Sequence, residues 1–350
     1  TSGYVIVNLG ITFVIIITLL ATTPLHEMWG PSYTFGTIIN QSGWEGQGGT
    51  AISFLFGLLS VQFVMTDYDA TAHISEEVHR ASIAAPVAIM VAVAGTGMVG
   101  WLLNIVLVIT SGDVVHQNVD DMPGGLPMAQ IMVNRMHKVG FLVVWPFVCL
   151  VAFFVVTTAM QANARSFYAF SRDHGLPDKG FFAKIYKRTG TTVNAVWLVV
   201  LCCIILGLLG FISQYAINAI FALAALGMDI SYLIPIVCRQ IFQDHPEVMF
   251  KPGPFTLGRG FFGRLINGIA ILWTIFECTI LSIPQEMPID EKNFNYSWVI
   301  MLGVLFLSLI WYVAHAHRHY HGPRSTMSPE QLAKLDEGVK DEEKQPEASS

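Results

Sequence analysis

Three observations predict an all-α, polytopic membrane protein. Hydrophobic residues make up 53% of the 350 positions and charged residues only 13%, with a mean hydropathy of +0.55, a composition far from that of a soluble domain. The apolar residues gather into separate windows of about 20 residues, the length a helix needs to cross a bilayer. Positive charges are distributed unevenly between the alternate connectors that separate these windows. Together the windows and connectors form a transmembrane domain over residues 1–321, followed by a polar cytoplasmic tail over 322–350, which its charge predicts to be disordered.

Eight candidate spans follow one another along the chain. They are Tyr4 to Ala21, Ala51 onward through an acidic break, Pro86 to Thr110, Gly140 to Met160, Val193 to Phe211, Ala216 to Val237, Leu265 to Ile283 and Trp298 to Ala314. If Thr1 starts in the cytoplasm, connectors 22–49, 111–139, 212–215 and 284–297 lie outside. These hold Arg135, Lys138 and Lys292, three of the 19 Lys and Arg, and the remaining 16 fall on the inner side. Such a bias supports this orientation. The sequon Asn40-Gln41-Ser42 also falls outside. In the third span Gly95, Gly97 and Gly100 suit close helix packing in lipid, a simpler reading than a ligand role. The fourth span runs on as an amphipathic inner helix, Gln161 to His174, closed by Gly175 and Pro177. Ser328-Pro329-Glu330-Gln331 in the tail has the pattern of a helix start. The chain opens at Thr1 without an initiator Met and without a signal-peptide pattern, so Thr1 is read as lying inside a longer native chain.

The second span departs most from a simple helix. Its run from Ala51 to Thr66 is too short to cross a bilayer by itself, so the span must continue into Asp67 and Asp69. Acids at membrane depth are expensive and are expected where the chain is buried in protein or lines a watery cavity. The other reading ends the helix at Thr66 and leaves both aspartates among the headgroups. Asp229 in the sixth span and Glu277 in the seventh are two further intramembrane acids. Each is a candidate for ion or proton coupling, or else a neutral packing acid. Glu76, Glu77 and Arg80, just past the break, suit an ion-pair network at an inner gate. Phe63 and Met65 fit either the wall of a binding site or ordinary packing. His315, His317, His319 and His321 alternate after the last span and would pair on a helix at 315/319 and 317/321, a metal-like spacing. A headgroup-level cluster with Arg318 and Tyr320 is the simpler reading, and no metal or cofactor is expected. Cys149, Cys202, Cys203, Cys238 and Cys278 lie in apolar runs without disulfide or zinc spacing. No catalytic or nucleotide-binding motif is present, so neither an enzyme nor a nucleic-acid partner is expected.

These residues resemble a family. Leu59-Ser60-Val61-Gln62-Phe63 and Met65-Thr66-Asp67-Tyr68-Asp69-Ala70-Thr71-Ala72-His73-Ile74-Ser75-Glu76-Glu77-Val78, followed by Ala84-Ala85-Pro86-Val87-Ala88-Ile89, resemble fungal amino-acid permeases of the amino acid, polyamine and organocation (APC) superfamily. The likeness is greatest to the GABA and choline permease branch. Ala169-Phe170-Ser171-Arg172-Asp173-His174-Gly175-Leu176-Pro177, Thr192 to Trp197 and Phe250 to Phe255 agree with it. The resemblance implies a LeuT-like APC fold of inverted five-helix repeats, twelve spans in all, with substrate held at two broken helices. The eight spans would then match helices five to twelve, and the glycine-rich break of the family's first helix would have no counterpart here. By position, Phe63 matches an aromatic gate, and Thr66, Asp67 and Asp69 match the unwound middle of the sixth helix. Asp67 stands where relatives often have the glycine of the break. Thr157 and Met160 match substrate-facing positions of the eighth helix. The lysine that some relatives use for proton coupling is missing from the first span, whose polar groups include Asn8.

The function this implies is transport of an amino acid, GABA-like, or a related amine by alternating access. Proton-coupled symport is expected, with the lipid bilayer, a small amino acid or amine, and the proton as partners. The plasma membrane is the expected location, with an internal (vacuolar) membrane as the alternative. Two other readings stay open: a choline or polyamine carrier, and a truncated, non-transporting membrane protein that binds or regulates a partner.

Overall fold

The computed structural model describes residues 2–40, 42–46, 48–75, 78, 80–117, 122, 125–188, 190–212, 214–245, 253–258, 260–285, 287–290, 294–320 and 322. Among them are ten α-helices and no strand beyond an isolated bridge between Tyr186 and Thr191. Seven helices are long and apolar enough to cross a membrane. They are α1 (Ser2–Thr22), α5 (Ala81–Thr110), α6 (Pro127–Arg172), α7 (Val193–Ile212), α8 (Gln214–Phe242), α9 (Phe261–Leu281) and α10 (Ser297–Ala314). The shorter ones are α2 (Pro31–Gly36), α3 (Gly49–Val64) and α4 (Ala70–His73).

The eighth expected span is α3, and it is interrupted. Its 16 residues reach about 24 Å at 1.5 Å per residue, short of a hydrocarbon core about 30 Å thick. The chain then turns through Met65 to Asp69 and resumes as the single turn of α4. Two other boundaries differ from expectation. Helix α5 begins at Ala81 and runs through Pro86, five residues ahead of the predicted span. Helix α6 runs on to Arg172 at its inner end, as expected, but begins at Pro127, well ahead of Gly140, with a break in its backbone at His137 (φ 55°) that separates a short connector helix from the spanning part.

The connectors gather at two ends of the bundle. At one end, the indole of Trp29 stacks on Tyr33 at 3.9 Å between ring centres and donates to the Gly112 carbonyl at 3.2 Å. Arg135 donates to the Thr110 carbonyl at 2.7 Å and pairs with Glu27. The Met287 N–H reaches the Ser42 carbonyl at 2.9 Å. Connectors 22–49, 111–139 and 284–297 therefore share one end. At the other end, Trp311 Nε1 donates to the Gly175 carbonyl at 3.2 Å, and Phe170 meets Tyr320 edge-on at 5.8 Å. These pairings follow the alternation of sides drawn from charge.

Three apolar clusters hold the helices together. Ile15, Leu19, Val106, Met132 and Val144 join α1, α5 and α6. Ala164, Ala195 and Val199 join α6 to α7, and Leu226, Leu281 and Met301 join α8, α9 and α10. Outward side chains such as Ile6, Phe211 and Phe306 stay exposed, as expected of a surface whose solvent is hydrocarbon. Asn295 ties two helix ends together, donating to the Leu281 carbonyl at the end of α9 and accepting from the Ser297 N–H that starts α10. Such contacts satisfy backbone groups that a helix terminus leaves unpaired.

The inner end of α6 closes differently from the sequence expectation. His174, not Gly175, takes the left-handed conformation (φ 62°), and the Gly175 N–H returns to the Phe170 carbonyl at 2.9 Å, the long bond of a Schellman cap. Gly175 is needed for closeness instead: a Cβ there would lie 2.1 Å from the Phe170 ring. Beyond it Asp178 organises the loop, accepting from the Ser171 hydroxyl and from the N–H groups of Phe182 (2.9 Å) and Gly180 (3.3 Å). Slight burial works to raise its pKa. The hydrogen bonds from Ser171, Phe182 and Gly180 outweigh this and hold the carboxyl below the ordinary 3.8.

Two predictions follow from this architecture. Gly43 has φ +71°, and a Cβ there would meet the Met287 carbonyl oxygen at 2.5 Å, whereas Gly57 in α3 has nothing within 4 Å. Gly43→Ala should destabilise the protein by about 1–3 kcal/mol, read as a lower thermal midpoint in detergent, while Gly57→Ala leaves the midpoint unchanged or raises it. The depressed Asp178 pKa means that its contribution is present above the free-aspartate value and lost as pH falls through the lower folded value. Hydrogen exchange at the Gly180 and Phe182 amides should therefore be slow at neutral pH. Protection should drop only below pH 3.8, or at any pH in Asp178→Ala.

Candidate functional site

The break between α3 and α4 begins where apolar packing gives way to turn-forming residues. Asp67 adopts φ 64°, a left-handed conformation that Asp tolerates better than most residues. It thus does the conformational work that a glycine would do at this point. Its side chain is exposed, and its carbonyl accepts from Ala70 at 3.2 Å. The break packs against α5, where a Cβ on Gly97 would meet the Met65 sulfur at 3.3 Å, whereas Gly95 has open space around it. Close packing by the third-span glycines thus falls on Gly97 and not on Gly95.

Asp69 points the other way and is only 8% exposed. Its Oδ2 accepts from the Tyr232 hydroxyl of α8 and lies 3.2 Å from His73 Nε2, one helical turn further on. His73 Nδ1 in turn faces the Ser166 hydroxyl of α6 at 3.2 Å. A continuous polar line, Tyr232–Asp69–His73–Ser166, therefore crosses from α8 through the break to α6. The i,i+4 spacing of Asp69 and His73 was a sequence signal for one of these contacts. Tyr232 and Ser166 are 163 and 97 positions from Asp69, so local spacing held no sign of them.

Two further acids stand beside this line. Asp229 is 8% exposed and Glu277 is 4% exposed, on the adjoining helices α8 and α9. Asp229 precedes Tyr232 by three residues, which places both on one side of α8. Asp69, Asp229 and Glu277 all lie close enough for their charges to act on Tyr68, whose ring sits 6.4 Å from that of Tyr232. Asp229 Oδ2 is buried without a hydrogen-bond partner among the described residues. Three buried carboxyl groups near a helix break concentrate negative charge, which suits an organic cation.

The other sequence candidates lie elsewhere. Thr66 is half-buried within the turn. Thr157 is exposed and its hydroxyl bonds back to the Phe153 carbonyl at 2.8 Å. It precedes Ser166 by nine residues, about 13 Å along the α6 axis. Met160 packs with Ala164, Ala195 and Val199 between α6 and α7. Arg80 is exposed, and its left-handed backbone (φ 51°) starts α5. Glu76, Glu77 and the side chain of Phe63 lie outside the described residues. The helix ends at Ala314, so His315 and His319 do not share a helical face; their rings meet at 4.9 Å across a 3-10 turn, while His317 turns to the Tyr312 carbonyl. His321 lies outside the described residues. Among the described residues no group of three His, Cys, Asp or Glu has metal-binding geometry.

Comparison with known proteins agrees with this architecture. An uncharacterised amino-acid permease of Schizosaccharomyces pombe is 41% identical over 330 residues, covering 94% of this chain and 59% of its own length. Amino-acid permease 2 of Neurospora crassa is 32% identical over 327 residues, covering 92% of this chain and 57% of its own. A putative polyamine transporter of Candida albicans is 28% identical over 295 residues, covering 84% and 52%. The chain thus spans less than two thirds of the length of these relatives. No solved structure matches it significantly. The family model described as amino acid permease matches residues 1–306, and on that match, with the helical bundle and its interrupted span, the chain belongs to the amino acid permease family.

Proposed function

We propose that the native protein carries an amino acid or a related amine across a membrane by alternating access, in symport with protons. The observation that carries this reading is the Asp69 carboxylate, buried at a helix break and held by Tyr232 and His73. A carboxylate in that position is stabilised when a cation or proton joins it, and a substrate ammonium meets the same need. Tyr232 and Ser166 extend the polar line on either side and offer a route for a proton. Thr66, in the turn itself, continues the candidate substrate path, with Phe63 as its outer aromatic gate, whereas Thr157 and Met160, the further candidates by resemblance, stand apart from the Asp69 line. Glu76, Glu77 and Arg80 would move with the inner gate, and Asp229 and Glu277 are the coupling candidates. Resemblance to the GABA and choline branch favours a GABA-like amino acid, and the plasma membrane as the location before an internal one.

A second reading is supported by the three acids around Tyr68. Such a density of negative charge favours a substrate with more than one positive charge, and one relative is named a putative polyamine transporter. Excess spermidine should abolish labelled GABA uptake by the native-length protein if polyamines are the substrate, and leave it nearly intact if the site is built for a zwitterion. Asp69→Asn keeps the size of the side chain and removes its charge. It should lower uptake by at least about tenfold, the scale of one lost charged hydrogen bond, while surface expression persists. Normal uptake by that variant would remove Asp69 from the mechanism.

A further inference from the structure

We propose that Asn40 carries an N-linked glycan on the outer face of the protein, and that Asn295 does not. Two stretches of the chain have the Asn-x-Ser pattern at which such a glycan is attached, Asn40-Gln41-Ser42 and Asn295-Tyr296-Ser297. Both lie on connectors at one end of the bundle, where the Met287 N–H donates to the Ser42 carbonyl at 2.9 Å. The distribution of Lys and Arg assigns that end to the outside. Spacing and side of the membrane therefore treat the two asparagines alike.

The turn around each acceptor is alike as well. Asn40 Oδ1 accepts from the Ser42 N–H at 3.1 Å and from the Ser42 hydroxyl at 2.7 Å. Asn295 Oδ1 accepts from the Ser297 N–H at 3.2 Å and from the Ser297 hydroxyl. What separates the two is the amide nitrogen, the atom to be modified. Asn295 Nδ2 donates to the Leu281 carbonyl and, at 3.4 Å, to the Ile283 carbonyl, so both of its N–H groups hold the end of α9. Ser297 is fully buried, and Asn295 stands two residues before the start of α10, which keeps it against the bilayer surface. Asn40 Nδ2 donates once, to the Trp44 carbonyl at 2.8 Å. Its side chain is exposed, as are Phe35 to Ile38 leading up to it. Attachment joins Asn40 Nδ2 to the anomeric carbon of an oligosaccharide and breaks the bond from that carbon to a polyprenyl diphosphate donor. The amide gives up one proton, and the lipid diphosphate leaves with the bonding electron pair. The secondary amide that results keeps one N–H for Trp44 and the carbonyl oxygen for Ser42. Glycosylation therefore costs no hydrogen bond at Asn40 and at least one at Asn295.

The test uses the native-length protein expressed in a fungal cell, its membranes treated with and without peptide N-glycosidase. Release of a glycan by this enzyme converts the asparagine that carried it to aspartate, so peptide mass spectrometry reads occupancy at both asparagines in the unaltered protein. Conversion is expected at Asn40 and not at Asn295, with a single downward step in apparent mass on a gel. Asn40→Gln and Ser42→Ala should each abolish that step, and Ser42→Thr, which keeps the hydroxyl, should retain it. The measurement on the unaltered protein stands whether or not the variants fold. Absence of conversion at Asn40, or conversion at Asn295, would overturn the proposal.

Discussion

The pairing of the Asp69 carboxylate with Tyr232 and His73 is the constraint on which the centre of this structure depends. The Asp69 carboxyl group sits just beyond the end of α3, where helical geometry is interrupted. At the interruption Asp69 meets Tyr232 of α8, and His73, its partner one turn on, meets Ser166 of α6. The left-handed Asp67 supplies the turn that aims Asp69 inward. One aspartate shapes the backbone and its neighbour but one supplies the charge. Exchanging their roles would place the exposed side chain inside and the buried one outside.

The same economy governs the ends of the bundle. Lipid offers no hydrophobic gain for bringing one apolar helix against another, so packing alone holds the spans weakly in register. The connectors add directional bonds. Arg135 of α6 joins connector 22–49 through Glu27 and the end of α5 through the Thr110 carbonyl, while Trp311 of α10 joins the loop just past α6 through the Gly175 carbonyl. Between these two ends, the backbone leaves helical geometry at the α3–α4 break. A segment of that kind, bounded by fixed ends, is suited to changing its conformation without disturbing the rest.

The candidate site draws on distant parts of the chain because each helix of a bundle contributes only one face. Ser166 lies seven residues before Asp173, the C-cap of α6 where the α6–α7 loop begins. The polar line from Asp69 therefore ends about two helical turns from the end of α6.

The amino-acid sequence by itself determined the class of the protein and the position of its interruption. Spans are set by apolar length, which is a local property, so seven helices coincide with the predicted windows to within a few residues at most boundaries. The shortness of the apolar run before Asp67 was likewise local, and it located the break. Helix boundaries at Pro86 and Gly140 were misplaced because proline and glycine are tolerated inside spans whose backbone groups are otherwise satisfied. Tertiary structure decided which acid is buried, since Asp67 and Asp69 are indistinguishable by composition and differ only in which way a left-handed turn sends them. It also decided that Tyr232 meets Asp69 and Ser166 meets His73, that Thr157 is exposed and Met160 packs between helices, and that the rings of His315 and His319 meet across a 3-10 turn. Each of these depends on the rotation of one helix against another, a quantity set by long-range packing that no window of sequence contains.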